Sequence, residues 1–512
     1  MPPLFTPRPR AVRKRSPSLV DVTLAPEQRA AVELPADRSL LVLGEAGHGK
    51  TTVALHRLAH LWKSARSARP ASPERRSPDT LRAAVVVPNE GLCRLIQPQL
   101  RRLGVDLEVL TYDRWASGQA RRAFRRLPRE SDSTPPSVMH LKRHPALRIA
   151  LDELAGRPPG VIDEDAEAHG RGDEPGREAT RRTGRGDLQH LFGDRRLLER
   201  VALAGGLSAR SVDDTLDRSR VQFSLMAEEE WASVTERQRL VAVDRRALDD
   251  GTSSGEVKTV DVEDYAVLCE LDHLRASRQG RPSAARRTYD LLLLDEAQEL
   301  APLELAMLGR SVAPGGSLVV AGDADQQTDA TTTFRGWPDV MRELGCDDYD
   351  AVTLEVGYRC PPDVVSLAHA IRASGTMASP TTTPIRTFPA EAALHQWVAA
   401  GLRALRRHDP HASTAVVCRS PLTARRIVGA LHAAEVPARI VFDGRFLPRG
   451  PVQVSTVDEV KGLEFDFVVV PDASGRDYPD DAAARRALYV AVTRARHQVA
   501  LGCVGGPSPV VR

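Results

Sequence analysis

The sequence lacks the usual marks of secreted, membrane-spanning and metal-binding proteins. Its six cysteines are scattered along 512 residues without a C-x-x-C pair or a histidine at ligand spacing, so neither a disulfide framework nor a zinc site is expected. No run of about 18 apolar residues argues for a membrane span. The first twenty residues are rich in proline and arginine and hold no apolar run typical of a signal peptide. These absences predict a protein of the reducing cytoplasm with no membrane partner.

Lysine is also scarce, although the chain is rich in basic residues. Lysine and arginine together number 71, but lysine occurs only at Lys14, Lys50, Lys63, Lys142, Lys258 and Lys461. A lysine retained against this bias indicates a site where a compact ammonium fits and a planar guanidinium does not. The net charge of +3 permits nucleic-acid binding but does not by itself predict it.

Short apolar runs alternate with helical stretches, as is typical of parallel sheets wrapped by helices. A first set of runs lies at 40–43, 83–87, 107–110, 291–294 and 318–321. A second set lies at 351–354, 414–418, 439–442, 452–455, 467–470 and 499–501. Each set is sufficient for one α/β sheet, so the pattern predicts two α/β domains.

The chain between these sets carries no clear strand signal. Residues 156–187 are rich in Gly, Pro and charge and almost free of large apolar side chains, which predicts disorder. The predicted segments are a disordered basic tail at 1–20, a first domain at 21–115 and 256–345, a mostly helical insertion at 116–255 and a second domain at 346–512. A nucleic-acid-binding arm is the alternative for the tail.

The most informative motif is Gly44-Glu45-Ala46-Gly47-His48-Gly49-Lys50-Thr51, which follows an apolar strand and opens a helix. Its glycines allow successive backbone N–H groups to turn toward an anion, and the helix N-terminus adds a positive dipole end. Lys50 would neutralise the β- and γ-phosphates, and the Thr51 hydroxyl would bind Mg²⁺. With Thr52, the motif predicts a cradle for nucleotide phosphates.

Two later motifs predict hydrolysis of the bound nucleotide. An apolar run at 291–294 delivers Asp295 and Glu296 to the carboxyl edge of a sheet, where ligands of such folds bind. Asp295 would complete the Mg²⁺ shell, and Glu296 would orient and deprotonate the attacking water. A third strand ends at Gly322 and leads to Gln326, whose amide is a candidate sensor of the γ-phosphate. The motifs together predict an ATPase that uses Mg²⁺.

The order of these motifs resembles superfamily 1 helicases of the UvrD/Rep type. Three further elements carry the resemblance: Leu354-Glu355-Val356-Gly357-Tyr358-Arg359, Lys461-Gly462-Leu463-Glu464-Phe465 and Leu488-Tyr489-Val490-Ala491-Val492-Thr493-Arg494-Ala495-Arg496. The resemblance covers about residues 23–115 and 289–501. It implies an α/β fold of two RecA-like P-loop NTPase domains with a mostly helical insertion in the first.

The resemblance also implies roles at matching positions. Gln28 matches the glutamine that reads the adenine edge, and Tyr358 matches the aromatic residue that stacks on the base. Arg359 and Arg494 match two arginines that reach the γ-phosphate from the second domain, and Glu464 matches a ribose contact. Arginines supplied by a second domain would make hydrolysis depend on closure of the cleft.

Contacts to nucleic acid are also implied by resemblance, from two segments of the first domain and from an aromatic-Arg-Gly element whose ring stacks on a base. The candidates are Asn89, Thr111, Tyr112, Phe334 and Arg335. The sequence departs from the family pattern at Gly357, which replaces an asparagine, and at Asp458, where histidine is common. A carboxylate facing a phosphate backbone would repel it.

The resemblance implies an ATP-dependent translocase or helicase that moves 3′ to 5′ on single-stranded or partly duplex DNA. The alternative is an ATPase that remodels a protein partner such as RNA polymerase. Ala54-Leu55-His56-Arg57 and Tyr358-Arg359-Cys360-Pro361 also resemble helicase-like factors that recycle bacterial RNA polymerase, and the large insertion that UvrD-type helicases carry in the second domain is missing. A nucleotide-binding protein without turnover is disfavoured because all the hydrolytic residues are present.

Overall fold

The computed structural model describes residues 4–5, 20, 23–67, 81–124, 127–131, 133–157, 184–224, 257–284, 288–357, 360–373, 385–447 and 449–511. Within these ranges the chain forms two lobes, each built on a parallel β-sheet, and a helical insertion attached to the first lobe. The predicted α/β fold of two RecA-like domains is confirmed.

The strands are short and follow the apolar runs of the sequence. In chain order they are β1 Ser39–Gly44, β2 Ala83–Val87, β3 Val109–Thr111, β4 Arg129–Glu130, β5 Thr259–Val260, β6 Tyr289–Leu294, β7 Val312–Gly322, β8 Tyr349–Leu354, β9 Ile385–Phe388, β10 Thr414–Cys418, β11 Ala438–Ile440, β12 Val452–Thr456, β13 Phe465–Val470 and β14 Ala495–Val504. The central strands are buried on both faces, which is why they are apolar throughout.

Helices connect the strands and cover both sheets. They span Pro26–Val32, Lys50–Ser67, Glu90–Arg102, Tyr112–Ala123, Pro136–Arg143, Leu147–Ala155, Gly184–Gly193, Arg195–Gly205, Ala209–Phe223, Glu263–Arg278, Pro302–Gly309, Trp337–Glu343, Pro362–Arg372, Glu391–His408, Pro421–Ala433 and Ala482–Thr493, with 3₁₀ turns at Ala297–Glu299 and Ala324–Gln326. Among the described residues, no helix is long and apolar enough to cross a membrane.

The sheet of the first lobe has the strand order β3-β2-β6-β7-β1-β8, and all its pairs are parallel. Its carboxyl edge therefore brings together the ends of β1, β6 and β7, which are far apart in sequence. The sheet of the second lobe has the order β11-β12-β10-β13-β14-β9 and is also parallel.

The assignment of residues 351–354 to the second domain was wrong. They belong to β8, which pairs with β1 in the first lobe, with Leu41 opposite Ala351 and Leu43 opposite Thr353. β8 is a half-exposed edge strand, so its burial does not tie it to either core. The first lobe therefore extends to Leu354, beyond the predicted boundary at 345. β9 was not predicted because it is also a half-exposed edge strand.

The insertion is helical where it is described, with a two-stranded parallel pair of β4 and β5 that the sequence did not indicate. The predicted disordered segment 156–187 falls mostly outside the described residues. Its end was predicted wrongly, because residues 184–187 begin the helix Gly184–Gly193. Asp187 accepts two hydrogen bonds from Arg275, at 2.6 and 2.8 Å, and both side chains are buried. This paired charge explains why a polar segment can pack in the interior.

The N-terminal residues that can be described are not solvated as predicted. Leu4 is buried against the second lobe near Gly401, and the Phe5 ring lies 4.9 Å from the Phe467 ring. Val20 is buried in the core of the first lobe. The disordered-tail prediction is therefore wrong at these three positions, and the rest of the tail lies outside the described residues.

Candidate nucleotide site between the lobes

The loop of residues 44–51, here called the phosphate loop, joins β1 to the helix Lys50–Ser67. Its backbone requires glycine at three positions, because Gly44, Gly47 and Gly49 have φ values of 152°, 84° and 88°, in the region that favours glycine. A Cβ on Gly49 would also lie 3.2 Å from Nε2 of Gln28. A glycine-dependent turn at the N-terminus of a helix is the backbone shape that can direct N–H groups toward an anion.

Lys50 lies in this loop and is 7% exposed. Its Nζ donates to the carbonyl oxygens of Gly44 and Glu45, at 2.8 and 3.0 Å, and lies 3.7 Å from Oδ2 of Asp323. Two carbonyl groups of the phosphate loop therefore hold the Lys50 ammonium. The next helical residue, Thr52, is buried behind the loop.

Thr51 and Asp295 meet at the carboxyl ends of β1 and β6. Thr51 Oγ1 donates to Asp295 Oδ2 at 2.8 Å. Burial raises the pKa of Asp295 to about 7, and the neighbouring Glu296 contributes, while the Thr51 hydrogen bond opposes the shift. A divalent cation would favour the charged carboxylate here because it supplies the missing positive charge.

These two residues fit a magnesium ion. Proteins usually bind Mg²⁺ through one or two side chains, with phosphate oxygens and water completing the octahedron. Within the described ranges no group of three or more His, Cys, Asp or Glu side chains could hold a metal. Thr51 and Asp295 would hold Mg²⁺ together with the phosphates of a nucleotide.

Glu296 occupies a strained backbone position, with φ 57° and ψ 40°. Left-handed backbone of this kind is uncommon outside glycine and clusters at functional sites. The side chain is held by Gln298, whose Nε2 donates to Glu296 Oε2 at 2.6 Å. Gln298 Oε1 in turn accepts the N–H of Asp323 at 3.2 Å. The carboxylate is thus oriented by an uncharged side chain.

The second lobe reaches this group through Arg494, which lies between the helix Ala482–Thr493 and β14 and is 4% exposed. Its Nη2 donates to Gln326 Oε1 at 2.7 Å, and Gln326 Nε2 donates to Asp323 Oδ2 at 2.8 Å. Burial lowers the pKa of Arg494, and the nearby Glu296 opposes the shift. The predicted sensor and one predicted arginine therefore meet, and they do so beside the predicted base.

Three contacts of the second lobe were not predicted from the sequence. Tyr489 accepts the Ala46 N–H at 3.2 Å through its hydroxyl. Arg372 pairs with Glu45 and, at 2.7 Å, with Asp325. His369 Nε2 lies 3.1 Å from the second Glu45 oxygen. Tyr489 stands inside a quoted motif, but Arg372 and His369 lie in a helix that carried no motif signal.

The remaining predicted nucleotide contacts are placed as follows. Gln28 Nε2 donates to the His48 carbonyl at 3.4 Å, so the amide adjoins the phosphate loop. The His48 Nδ1 lies 2.7 Å from the Leu354 carbonyl. Glu464 accepts from Arg496 Nε at 2.7 Å, and its carboxylate is buried. Tyr358 and Arg359 lie outside the described residues.

The predicted nucleic-acid contacts divide into buried and accessible residues. Tyr112 is 4% exposed and packs beside Trp115 in the core, so a strand contact by its ring does not hold. Thr111 is buried and caps the next helix by accepting the Arg114 N–H. Arg335 is exposed, and the half-buried Phe334 ring packs edge-to-face on Trp337.

Asn89 joins the lobes. Its Oδ1 accepts the Leu92 N–H, which caps a helix, and its Nδ2 donates to the Lys461 carbonyl at 3.2 Å. Lys461 Nζ lies 3.1 Å from both Glu299 of the first lobe and Asp458 of its own loop. The largely buried Lys461 ammonium therefore bridges two carboxylates. Asp458 is thus paired with a cation.

Comparison with known proteins supports an assignment to a family. A family model described as an AAA domain matches residues 28–332, more than half of the chain, and a model of the UvrD-like helicase C-terminal domain matches residues 451–501. No curated protein matches the chain.

Among solved structures, the chain is similar to the C-terminal domain of a possible DNA helicase from Lactobacillus plantarum WCFS1. The identity is 25%, with 30% of this chain and 92% of that chain covered, and the TM-score is 0.26, which is too low to bear on the fold. The assignment depends on the family models and the order of the motifs. The chain belongs to the UvrD-like superfamily 1 helicases and is an ATP-hydrolysing enzyme of that type.

Proposed function

We propose that the protein is a cytoplasmic motor that couples ATP hydrolysis to 3′ to 5′ movement along single-stranded DNA. The observation that carries this proposal is the 2.7 Å contact between Arg494 of the second lobe and Gln326 of the first. It puts a cation of one lobe beside the hydrolytic groups of the other. Hydrolysis then depends on closure, and opening after hydrolysis gives a mechanical stroke.

The chain's own residues divide the chemistry of phosphoryl transfer. Lys50 leaves its loop carbonyls for the β- and γ-phosphates, and Arg494 adds positive charge from the opposite side. Glu296, held by Gln298, takes a proton from the attacking water. Mg²⁺, when bound by Thr51 and Asp295, supplies further charge neutralisation. Arginines in this position contribute about 10³- to 10⁵-fold in related enzymes.

A further contact between the lobes supports the coupling of hydrolysis to movement along a DNA strand. Lys461 reaches Glu299 of the first lobe, and Glu299 is three residues from Glu296. Movement of the second lobe would therefore change contacts on both sides of the turn Ala297–Glu299. The exposed Arg335 and the half-buried Phe334 remain the best candidates for contact with DNA.

The test is ATP hydrolysis with and without single-stranded oligo(dT), using Lys50→Ala as the inactive control. We expect stimulation of at least about tenfold by the strand, as nucleic acid favours the closed state. Direction is read from oligonucleotides of increasing length labelled at one end. A signal delay that grows with length for the 5′ label, and not for the 3′ label, supports 3′ to 5′ movement. A delay that grows with length for the 3′ label instead would overturn the direction.

A second candidate is an ATPase that remodels a protein partner such as RNA polymerase. It is favoured by the burial of Tyr112 and by Asp458, a carboxylate whose side chain is 65% exposed beside Lys461. Both features weaken a conventional strand-binding path. Turnover that ignores oligo(dT) but rises when purified RNA polymerase is added would select this candidate.

A further inference from the structure

Tyr489 of the second lobe inserts its hydroxyl into the phosphate loop of the first. The residue lies on the helix Ala482–Thr493, five positions before Arg494, and is 1% exposed. Its oxygen accepts the Ala46 N–H at 3.2 Å and lies 3.4 Å from Asp323 Oδ2. The hydroxyl therefore uses one backbone donor of the loop that binds nucleotide phosphates under the proposed function.

The Tyr489 hydroxyl oxygen accepts the Ala46 N–H as a phosphate oxygen would. Ala46 offers a single N–H, and the hydroxyl lies at normal hydrogen-bond distance from it. Burial raises the pKa of Tyr489 well above its ordinary value, and Asp323 adds to this. The hydroxyl thus keeps its proton, donates toward Asp323 and presents its lone pairs to Ala46.

The space around the hydroxyl is small. The cleft lined by Ala46, His48, Gly357, Val364 and Tyr489 has a free volume of about 20 Å³, which is room for about one water. Lys50 at the same time donates to two loop carbonyls. A triphosphate that uses the Ala46 N–H and the Lys50 ammonium must displace both of these contacts.

We infer that Tyr489 is a gating residue, whose hydroxyl competes with nucleotide phosphate for the Ala46 N–H. Phosphate binding displaces the hydroxyl from the phosphate loop. Entry of the nucleotide thereby breaks one contact between the lobes, on the helix that precedes Arg494. This inference rests on the proposed ATPase function and adds a residue that responds to the phosphates directly.

Tyr489→Phe tests the competition because it removes only the hydroxyl and keeps the ring, which packs in the second lobe's core below the Arg372 guanidinium. Fluorescence titration with a mant-labelled, non-hydrolysable ATP analogue and Mg²⁺ measures affinity. We expect Kd to fall about 2- to 10-fold, the equivalent of one net hydrogen bond of about 0.5–1.5 kcal/mol. Mant-AMP, which lacks the β- and γ-phosphates, should bind unchanged.

The matched control is Tyr478→Phe. Tyr478 is fully buried in the same lobe, and its hydroxyl has no hydrogen-bond partner in the described residues, so its removal should leave Kd unchanged. Unchanged or weaker binding of the ATP analogue by Tyr489→Phe would overturn the gate, as would equal tightening by the control. Absence of nucleotide binding by the wild type, with Lys50→Ala indistinguishable from it, would instead overturn the proposed function.

Discussion

Replacing Glu296 by glutamine separates binding of ATP from its hydrolysis. The substitution keeps the size of the side chain, and its carbonyl can still accept the 2.6 Å hydrogen bond from Gln298. It removes the negative charge and with it the ability to take a proton. A positioned general base contributes about 10²- to 10⁴-fold, so the barrier should rise by about 2.7–5.4 kcal/mol.

Nucleotide binding should survive in this variant and become tighter. Glu296 is 7% exposed and lies beside Asp295, whose pKa its charge helps to raise after burial. Loss of that charge makes the cleft less repulsive to phosphates and leaves Asp295 more easily ionised. Binding of a mant-labelled ATP analogue, measured without turnover, should therefore be at least as tight as in the wild type.

The assay is single-turnover hydrolysis at saturating ATP and Mg²⁺. Glu343→Gln is the control, since it removes a carboxylate of the same lobe that pairs with Arg148 outside the cleft; its rate should stay within about twofold of the wild type, as expected for a site away from the chemistry. Wild-type hydrolysis by Glu296→Gln would refute the role of base. A loss of binding as large as the loss of rate would refute the separation of roles.

Three further substitutions test the site and the fold. Arg494→Lys should lower the hydrolysis rate about 10³-fold or more while sparing nucleotide affinity, because the shorter ammonium cannot make the paired contacts of the guanidinium; an unchanged rate contradicts the assignment. Arg143→Met should destabilise the fold by about 3–5 kcal/mol in urea unfolding, because the buried Glu304 and the partly exposed Asp329 lose their common partner; a loss below about 1 kcal/mol would contradict this. Burial raises the pKa of Asp472 to about 7 from an ordinary 3.8, so its stabilising contribution is complete below pH 4 and is lost as the pH rises through 7. Asp472→Asn should flatten that fall in thermal melts between about pH 4 and 7, the interval between the two pKa values, and an unchanged slope would contradict it.

The sequence predicted the parts of the site that lie within single elements. The phosphate loop, Asp295 and Glu296 each follow an apolar run that can only be a buried strand, so their position at the carboxyl edge follows from the fold class. The same reasoning failed for Tyr112, because a motif fixes the place of a residue in the chain but not the face to which its side chain turns. Tyr112 is the first residue of a helix whose Thr111 cap and buried ring belong to the core side of the lobe.

Contacts between the lobes could not be predicted in the same way. Ala46 and Tyr489 are separated by 443 positions, and nothing local in either segment specifies their distance. The pair of Arg372 with Glu45 depends equally on how two complete sheets are oriented. Edge strands β8 and β9 escaped correct assignment for a related reason, since a half-exposed strand carries little of the apolar signal that marks a core.

Several of the few lysines in this arginine-rich chain lie where a compact ammonium is required. This requirement is not limited to phosphate binding. Lys50 bridges two loop carbonyls and Lys461 bridges two carboxylates. Lys142, which carried no motif, bridges Asp261 and Asp264 at 2.8 and 2.7 Å in the core of the insertion.

In all three sites a single nitrogen satisfies two oxygens at once, and a longer, planar guanidinium would have to move one of them. Lys142→Arg keeps the charge but should destabilise the fold by about 1–3 kcal/mol through overpacking, measured by urea unfolding. Lys63→Arg, at an exposed position, should change stability by less than about 0.5 kcal/mol. Equal stability of the two variants would show that the lysines persist for reasons other than the shape of the ammonium.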